Sequence, residues 1–243
     1  MKRLIAQTLT PICSALIYLL HNRATFPFNR LELQSVQFSF SQFGEDLAIR
    51  LFAERFGIES GVYVDVGAYH PIFGSNTLLL YKQGWRGINI DFVPERIAVF
   101  NEHRPNDNNV VACVSDKTST VEIAHYDIPS TDRIIASGDS EKLSAAGQRP
   151  HRFTYATTTT LTEIIQRSPF RFEDVKYLDV DCEGHDLAVL RGLDFEQCLP
   201  QILSAEAATN SEREAIEQFL APYGYELEVN LPPTSIFVHS VSR

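Results

Sequence analysis

Four apolar runs in this chain carry acidic residues at or next to their ends, and chemistry is expected there. The run Val62-Tyr-Val-Asp-Val-Gly67 closes on a glycine two residues after Asp65. Gly67 permits a tight turn and a close backbone approach by a ligand. Asp91 ends the run Arg86-Gly-Ile-Asn-Ile-Asp. Its distance from Gly67 is compatible with the spacing of about 20 residues at which an acidic side chain meets a ribose in dinucleotide folds. Each charge-assisted bond from a ribose hydroxyl contributes roughly 1.5–3 kcal/mol. The full G-x-G-x-x-G pattern is absent, because Ala68, Tyr69, His70 and Pro71 follow Gly67 and the next glycine is Gly74. A pyrophosphate calls for a glycine-rich cradle at a helix N-terminus. A bulky loop beside Asp65 suits a cationic ligand without phosphate, and S-adenosylmethionine has an ammonium, a sulfonium and a ribose. The plain alternative for Asp65 is a turn cap.

A third run, Asn109-Val-Val-Ala-Cys-Val, ends in Ser115-Asp116, placed to meet an adenine edge or simply to make a turn. The densest ionisable stretch is Asp179-Val-Asp181-Cys-Glu183-Gly-His185-Asp186. Asp179 and Asp181 share one face of a strand. Asp181, Glu183 and His185 lie at or beyond its end, where a substrate hydroxyl would need a proton acceptor. The same oxygens could hold a divalent metal, though no metal ligand is assigned. The competing reading makes Asp181 a helix cap and His185 a solvated first-turn residue.

The elements that must position these groups alternate. A helix is expected from Ser41, with Phe43, Leu47, Leu51 and Phe52 at helical spacing and Gly57 as its stop. Ser75 can cap a helix over Thr77–Gln83 that Gly84 ends, and Pro94 opens one running to about His103. Thr120–Ala124 reads as an extra hairpin strand. Residues 126–150 read as a long loop, either a lid or disordered. Leu161–Gln166 is a short helix, Val175–Asp181 a strand, Asp186–Arg191 a helix, Gln201–Glu206 a strand and Glu212–Leu220 a helix. Tyr225–Val229 and Ser235–His239 close the chain around Pro232-Pro233. This order predicts an open, mostly parallel sheet with helices on both faces, with ligands beyond the carboxyl ends of its strands.

Forty-four per cent apolar and 21% charged residues fit a globular protein with a real core. The net charge of −10 disfavours non-specific nucleic-acid binding. Cys13, Cys113, Cys182 and Cys198 form no zinc or redox spacing and fit a reducing compartment, with Cys113 and Cys182 as small buried hydrophobes. The uncharged run Leu4–Leu20 is short for a membrane span, which takes about 20 residues. It is expected to be a packing helix, with membrane contact through residues 4–20 as the alternative. Residues 1–40 therefore read as a helical appendage and 41–243 as the working domain, in a cytoplasmic protein that is at most peripheral at a membrane.

The sequence resembles the FkbM-type methyltransferases from Ser41 to about Phe237. The stretches that carry the resemblance are Ser41-Gln-Phe-Gly-Glu-Asp-Leu, Tyr63-Val-Asp-Val-Gly-Ala-Tyr-His-Pro, Ser75-Asn-Thr with Leu80-Tyr-Lys-Gln-Gly-Trp-Arg-Gly, and Leu178-Asp-Val-Asp-Cys-Glu-Gly-His-Asp. Members commonly carry Lys-Ile-Asp-Val-Glu-Gly-His-Glu at the last site, so Asp179 stands where a lysine is frequent. The resemblance implies a class I, Rossmann-like methyltransferase fold with a seven-stranded sheet. It implies methyl transfer from S-adenosylmethionine to oxygen, leaving S-adenosylhomocysteine, on a glycan or small-molecule acceptor. The donor set expected on this reading is Gln42, Glu45, Asp65, Gly67, Ser75, Asn76, Asp91, Phe92, Ser115 and Asp116, and the catalytic set Asp181, Glu183 and His185. Trp85 is assigned to core packing. Three rivals stay open: a nicotinamide-dependent oxidoreductase, a metal-dependent sugar-processing enzyme centred on the acidic stretch, and a non-catalytic binding module derived from the fold.

Overall fold

The computed structural model describes residues 31–32, 35–128, 131–135 and 150–240. The expected helix or membrane contact at residues 4–20, and most of the expected loop at 126–150, lie outside them. The chain divides into two compact units, Met1–Ser39 and Phe40–Arg243. Among the described residues, no helix is long and apolar enough to cross a membrane.

The main sheet has seven strands: β1 (Val62–Val66), β2 (Arg86–Asp91), β3 (Asn108–Val111), β8 (Val175–Val180), β9 (Ile202–Glu206), β10 (Tyr225–Leu231) and β11 (Thr234–His239). Their order is β10-β11-β9-β8-β1-β2-β3. The five strands from β9 to β3 run parallel, and the β10–β11 hairpin adds on antiparallel. The chain leaves β1 toward β2 and later returns on its other side through β8. That reversal opens a crevice at the carboxyl ends of β1 and β8.

Strand alternation sorts the two faces. Val62, Val64 and Val66 join Ile88, Ile90, Leu178 and Val180 under helices α4 (Leu161–Arg167), α5 (Asp186–Arg191) and α6 (Asn210–Leu220). Tyr63, Tyr177, Ile202 and Ile236 form the opposite layer with α1 (Glu45–Arg55), α2 (Leu78–Lys82) and Trp85, which is core as expected. A third helix, α3 (Pro94–His103), begins with its proline in the first turn and packs Ile97 and Phe100 on Ala68.

Helix α1 corrects the expected phase. Ile49 and Ala53 are buried, whereas Phe43 and Leu51 are each 57% exposed. The helix starts at Glu45, so Phe43 precedes it, and the pair that meets the sheet stands two residues, about half a turn, from Leu47 and Leu51, while Phe52 packs beside that pair.

The second correction is a second sheet, of order β4-β7-β5-β6, made of β4 (Cys113–Val114), β5 (Thr120–His125), β6 (Arg133–Ile135) and β7 (Arg152–Thr159). The expected third strand breaks at Ala112: its first half pairs with β2 and its second with β7. Strand β7 was not expected from the sequence, because Arg-Phe-Thr-Tyr-Ala-Thr-Thr-Thr has no apolar alternation. Its β-branched threonines carry the β preference instead. Strand β6 falls inside the expected loop.

Candidate active site

The site begins with strand register. Asp65 lies beside Asn89 on β2 and beside Asp179 on β8, and Asp179 lies beside Ser204 on β9. One polar row, Asn89–Asp65–Asp179–Ser204, therefore crosses four strands near their carboxyl ends. The pairing of Asp65 with Asp179 depends on a bulge between Val62 and Tyr63, which skips Lys176. Without that shift Leu178 would stand beside Asp65, and the row would be lost.

Each member of the row has partners. Asp65 Oδ2 accepts from the Thr77 hydroxyl at 2.6 Å. Asp179 Oδ1 accepts from the Ser204 hydroxyl and from Asn76 Nδ2 at 3.3 Å. Burial, and then the neighbouring Asp65 charge, push the Asp179 carboxyl up to about 8. Burial also raises Asp65, against the lowering effects of Thr77 and Arg104. Two adjacent buried carboxylates cannot both ionise cheaply, so the pair holds a proton near neutral pH until a cation arrives.

Above the row is a cavity of about 590 Å³, within the range of small-molecule sites. Its walls carry seven carboxylates (Asp65, Asp91, Asp132, Asp179, Asp181, Glu183 and Glu206) against the guanidiniums of Arg96 and Arg133. That field favours a cationic ligand and opposes a diphosphate. Gly67 forms the turn out of β1 at φ +82, and a Cβ there would sit 1.8 Å from the Asp181 carbonyl oxygen. Only glycine allows the two strand ends to approach this closely.

Asp91 sits on one wall, almost fully occupied. It accepts from Val93 N at 2.8 Å and Tyr69 N at 3.1 Å, and Arg96 Nη1 bridges both oxygens at 3.1 and 3.3 Å. Burial raises its pKa and Arg96 opposes that. Arg96 lies over the rings of Tyr69 and Phe92, at 5.0 and 5.6 Å from their centroids. It also reaches Asp132 Oδ2 at 3.4 Å, which pairs with His125 Nδ1 at 3.0 Å. Arg96 thus joins the end of β2 to the small sheet. The sequence offered a faint signal for it, one helical turn into the helix after Asp91.

At the opposite wall, oxygens of Asp181, Glu183 and Glu206 lie within 4.8 Å of one another. Glu183 and Gly184 both have left-handed backbones, at φ +52 and +91. For Glu183 this is a strained conformation of the kind that clusters at functional sites. Burial first and the Glu206 charge second push Glu183 up to about 7, and Arg133 pulls the other way. Burial and Glu206 also raise Asp181. Protein surrounds Asp181, yet its side chain opens to solvent inside the cavity, so water screens part of that shift. Three such oxygens can take a proton from a hydroxyl, hold polyol hydroxyls or coordinate a hard cation. Glu206 ends a parallel strand just as Asp91 does, and that position is the signal that marks it in the sequence.

The other expected residues divide. Gln42, Ser75, Asn76 and Phe92 line the cavity with Asp65, Gly67, Asp91, Asp181 and Glu183. Ser75 has a structural task as well, accepting from Leu78 N at 3.1 Å at the start of α2. Glu45 stands off the cavity: it is buried and accepts from Phe43 N at the start of α1. Ser115, Asp116 and His185 also stand off it. Ser115 Oγ bonds His185 Nε2 at 2.9 Å and Asp116 at 3.2 Å. Cys113 and Val114 take the wall position expected of Ser115 and Asp116, because the break at Ala112 turns the chain into the second sheet. His185 is the N-cap residue of α5, and burial lowers its pKa. It is Asp186, not Asp181, that ties the loop, accepting from Cys182 N and Gly184 N at 3.3 and 3.1 Å. Cys182 also lines the cavity with Cys113 rather than sitting wholly in the core, and burial pushes the Cys113 thiol up to about 11.

A family model described as a methyltransferase FkbM domain matches residues 65–227. Comparison with curated proteins finds no match.

Proposed function

The chain belongs to the FkbM methyltransferase family, and we propose that it transfers the methyl group of S-adenosylmethionine to a hydroxyl of a sugar, glycan or related small acceptor. The observation that carries this reading is the carboxylate-rich cavity at the carboxyl ends of β1, β2 and β8. Its field suits a cationic, phosphate-free donor, and its loop lacks the glycines a dinucleotide needs. The sheet, five parallel strands closed by an antiparallel hairpin, supports a class I methyltransferase fold.

When bound, S-adenosylmethionine supplies a methyl group already activated on a sulfonium. The protein then has to bind, align and exclude water, and alignment alone can account for about 7–11 kcal/mol of barrier lowering. Asp65, with Asp179 beside it, receives the ammonium and releases the shared proton. Gly67 lets the backbone approach. Asp91 orients the ribose. A ribose hydroxyl shares the carboxylate with Arg96, whose single Nη1 spans both oxygens at 3.1 and 3.3 Å. Asp181, backed by Glu183 and Glu206, orients the acceptor hydroxyl and takes its proton. Neutral His185, held by Ser115, supports the loop from behind.

The test has two arms. Calorimetry is expected to show S-adenosylhomocysteine binding and NADH failing to bind. Labelled S-adenosylmethionine offered with nucleotide sugars, oligosaccharides and lipid-linked glycans is expected to label a hydroxyl. Stabilisation by NADH alone would overturn the donor, and donor binding without transfer to any hydroxyl would overturn the acceptor class.

A further inference from the structure

Arg104 is fully buried, and among the described residues no carboxylate lies within ion-pair distance of it. A buried guanidinium in that position is costly unless its charge is compensated. Its bonds show how this is done. Nη1 donates to the Thr77 hydroxyl oxygen at 2.7 Å, and that hydroxyl donates to Asp65 Oδ2 at 2.6 Å. Nη2 donates to the Pro71 carbonyl and to Ser75 Oγ, at 2.6 and 2.7 Å. On its far side Nη1 approaches Tyr63 Oη at 3.5 Å, and that phenol donates to Asp107. Two carboxylates thus balance one buried cation through intervening hydroxyls. Nε is buried without a partner, so the fold keeps this arginine despite an unmet donor.

We propose that Arg104, acting through the Thr77 hydroxyl, holds Asp65 aimed and ionised to receive the donor's ammonium. Neither Arg104 nor Thr77 lines the cavity, so both are positioning residues. The inference rests on the reading of the cavity as the donor site. A threonine hydroxyl has one proton. With Arg104 donating to its oxygen, that proton is directed to Asp65 Oδ2, and a bond donated to this oxygen favours the ionised carboxylate. The Pro71 and Ser75 bonds fix the loop that carries Thr77, so one side chain sets both the charge and the geometry of the carboxylate.

Asp65 is faced by Asp179 and Tyr177 from β8, Asp91 from β2, Asp107 before β3, Tyr63 on its own strand and Arg104 after α3. Among these only Arg104 is cationic. Removing the Thr77 hydroxyl therefore moves protonation of Asp65 to higher pH, and cation binding weakens below it.

The experiment is calorimetric titration of the full chain with S-adenosylhomocysteine from pH 6 to 9, comparing wild type, Thr77→Val and Thr77→Ser. Loss of one charge-assisted bond corresponds to about a tenfold loss of affinity. Thr77→Val is expected to bind about tenfold more weakly at pH 7, with the gap closing toward pH 9. Thr77→Ser restores the hydroxyl and is expected to restore both affinity and pH profile. Arg104→Met should act in the same direction but risks the fold, so the isosteric pair carries the test. A pH-independent loss, an unchanged Thr77→Val, or failure of Thr77→Ser to rescue overturns the relay while leaving the donor site in place. If wild type does not bind S-adenosylhomocysteine, the donor reading fails and the relay falls with it.

Discussion

The two walls of the cavity are built in different ways. The proposed donor wall comes from backbone register: Asp65 and Asp179 sit inside hydrogen-bonded parallel strands, are buried, and each has one carboxylate oxygen held by side-chain donors. The proposed acceptor wall comes from strand ends and turns: Asp181, Glu183 and Glu206 face solvent across a loop with two left-handed residues, and the small sheet brings Thr131–Ile134 opposite them. Rigid, buried carboxylates suit a ligand that is the same for every turnover. Carboxylates on turns can be re-aimed by small changes, which suits the part of a site that varies with substrate. The donor wall should then govern binding and stability, and the acceptor wall should govern turnover.

The strongest way to break this division is Asp181→Asn. If Asp181 takes the acceptor proton, kcat should fall about 10²–10⁴-fold, while affinity for S-adenosylhomocysteine stays within about twofold because the donor wall is intact. Parallel losses in both would put Asp181 in the donor site. Gly67→Ala should do the reverse. A Cβ at φ +82, only 1.8 Å from the Asp181 carbonyl oxygen, forces the ends of β1 and β8 apart. A loss of at least about 3 kcal/mol in urea unfolding is expected, with donor binding lost as well. A stable, donor-binding Gly67→Ala protein would mean that the two strand ends are not locked together.

The same contrast explains what the sequence could convey. Strand-end carboxylates at Asp65, Asp91 and Asp181 are legible because apolar alternation marks where a strand stops, and the parallel order of strands says which ends gather. Their neighbours are less legible. Asp65 meets Asp179 only because a bulge skips Lys176, and no periodicity encodes that skip. Ser115 and Asp116 were expected at the cavity because Asn109–Val114 reads as one strand. The break at Ala112 moves them behind His185, and only the pairing of Cys113 with Thr158 reveals it. The small sheet is poorly legible because β7 is threonine-rich and β6 is three residues long, below what alternation can detect. Arg104 is the least legible: an arginine following a surface helix reads as solvated, and only the fold buries it.

A third test compares the walls by pH. Asp179 titrates near 8 in the folded chain, above the value of about 3.9 expected when unfolded. A raised folded pKa contributes stability that is fully present below the unfolded value and is lost as pH rises through the folded one. The ligand-free protein should therefore lose thermal stability between pH 5 and 8. Asp179→Asn should flatten that slope more than Asp181→Asn, because solvent in the cavity already screens Asp181. S-adenosylhomocysteine should stabilise wild type more at pH 8 than at pH 6, since its ammonium replaces the bound proton. Equal slopes for the two variants would show that the walls are electrostatically alike.

The smallest expected effect probes whether the small sheet belongs to the acceptor wall. Glu183 titrates near 7, raised by burial and Glu206 and lowered by Arg133. If an ionised Glu183 supports proton removal, kcat/KM rises with pH through that value. Arg133→Ala removes the lowering charge, so the acid limb should move to higher pH, by less than about one unit because the pair is part-exposed and screened. The plateau rate at pH 9 should be unchanged, as Glu183 is ionised there in both proteins, and Arg133→Lys should shift the limb less than Ala. Donor affinity should not move, because Arg133 faces Glu183 and not the Asp65–Asp179 row. An unmoved acid limb would detach the small sheet from proton removal. A shift in donor affinity instead would place Arg133 on the donor side and collapse the distinction between the two walls.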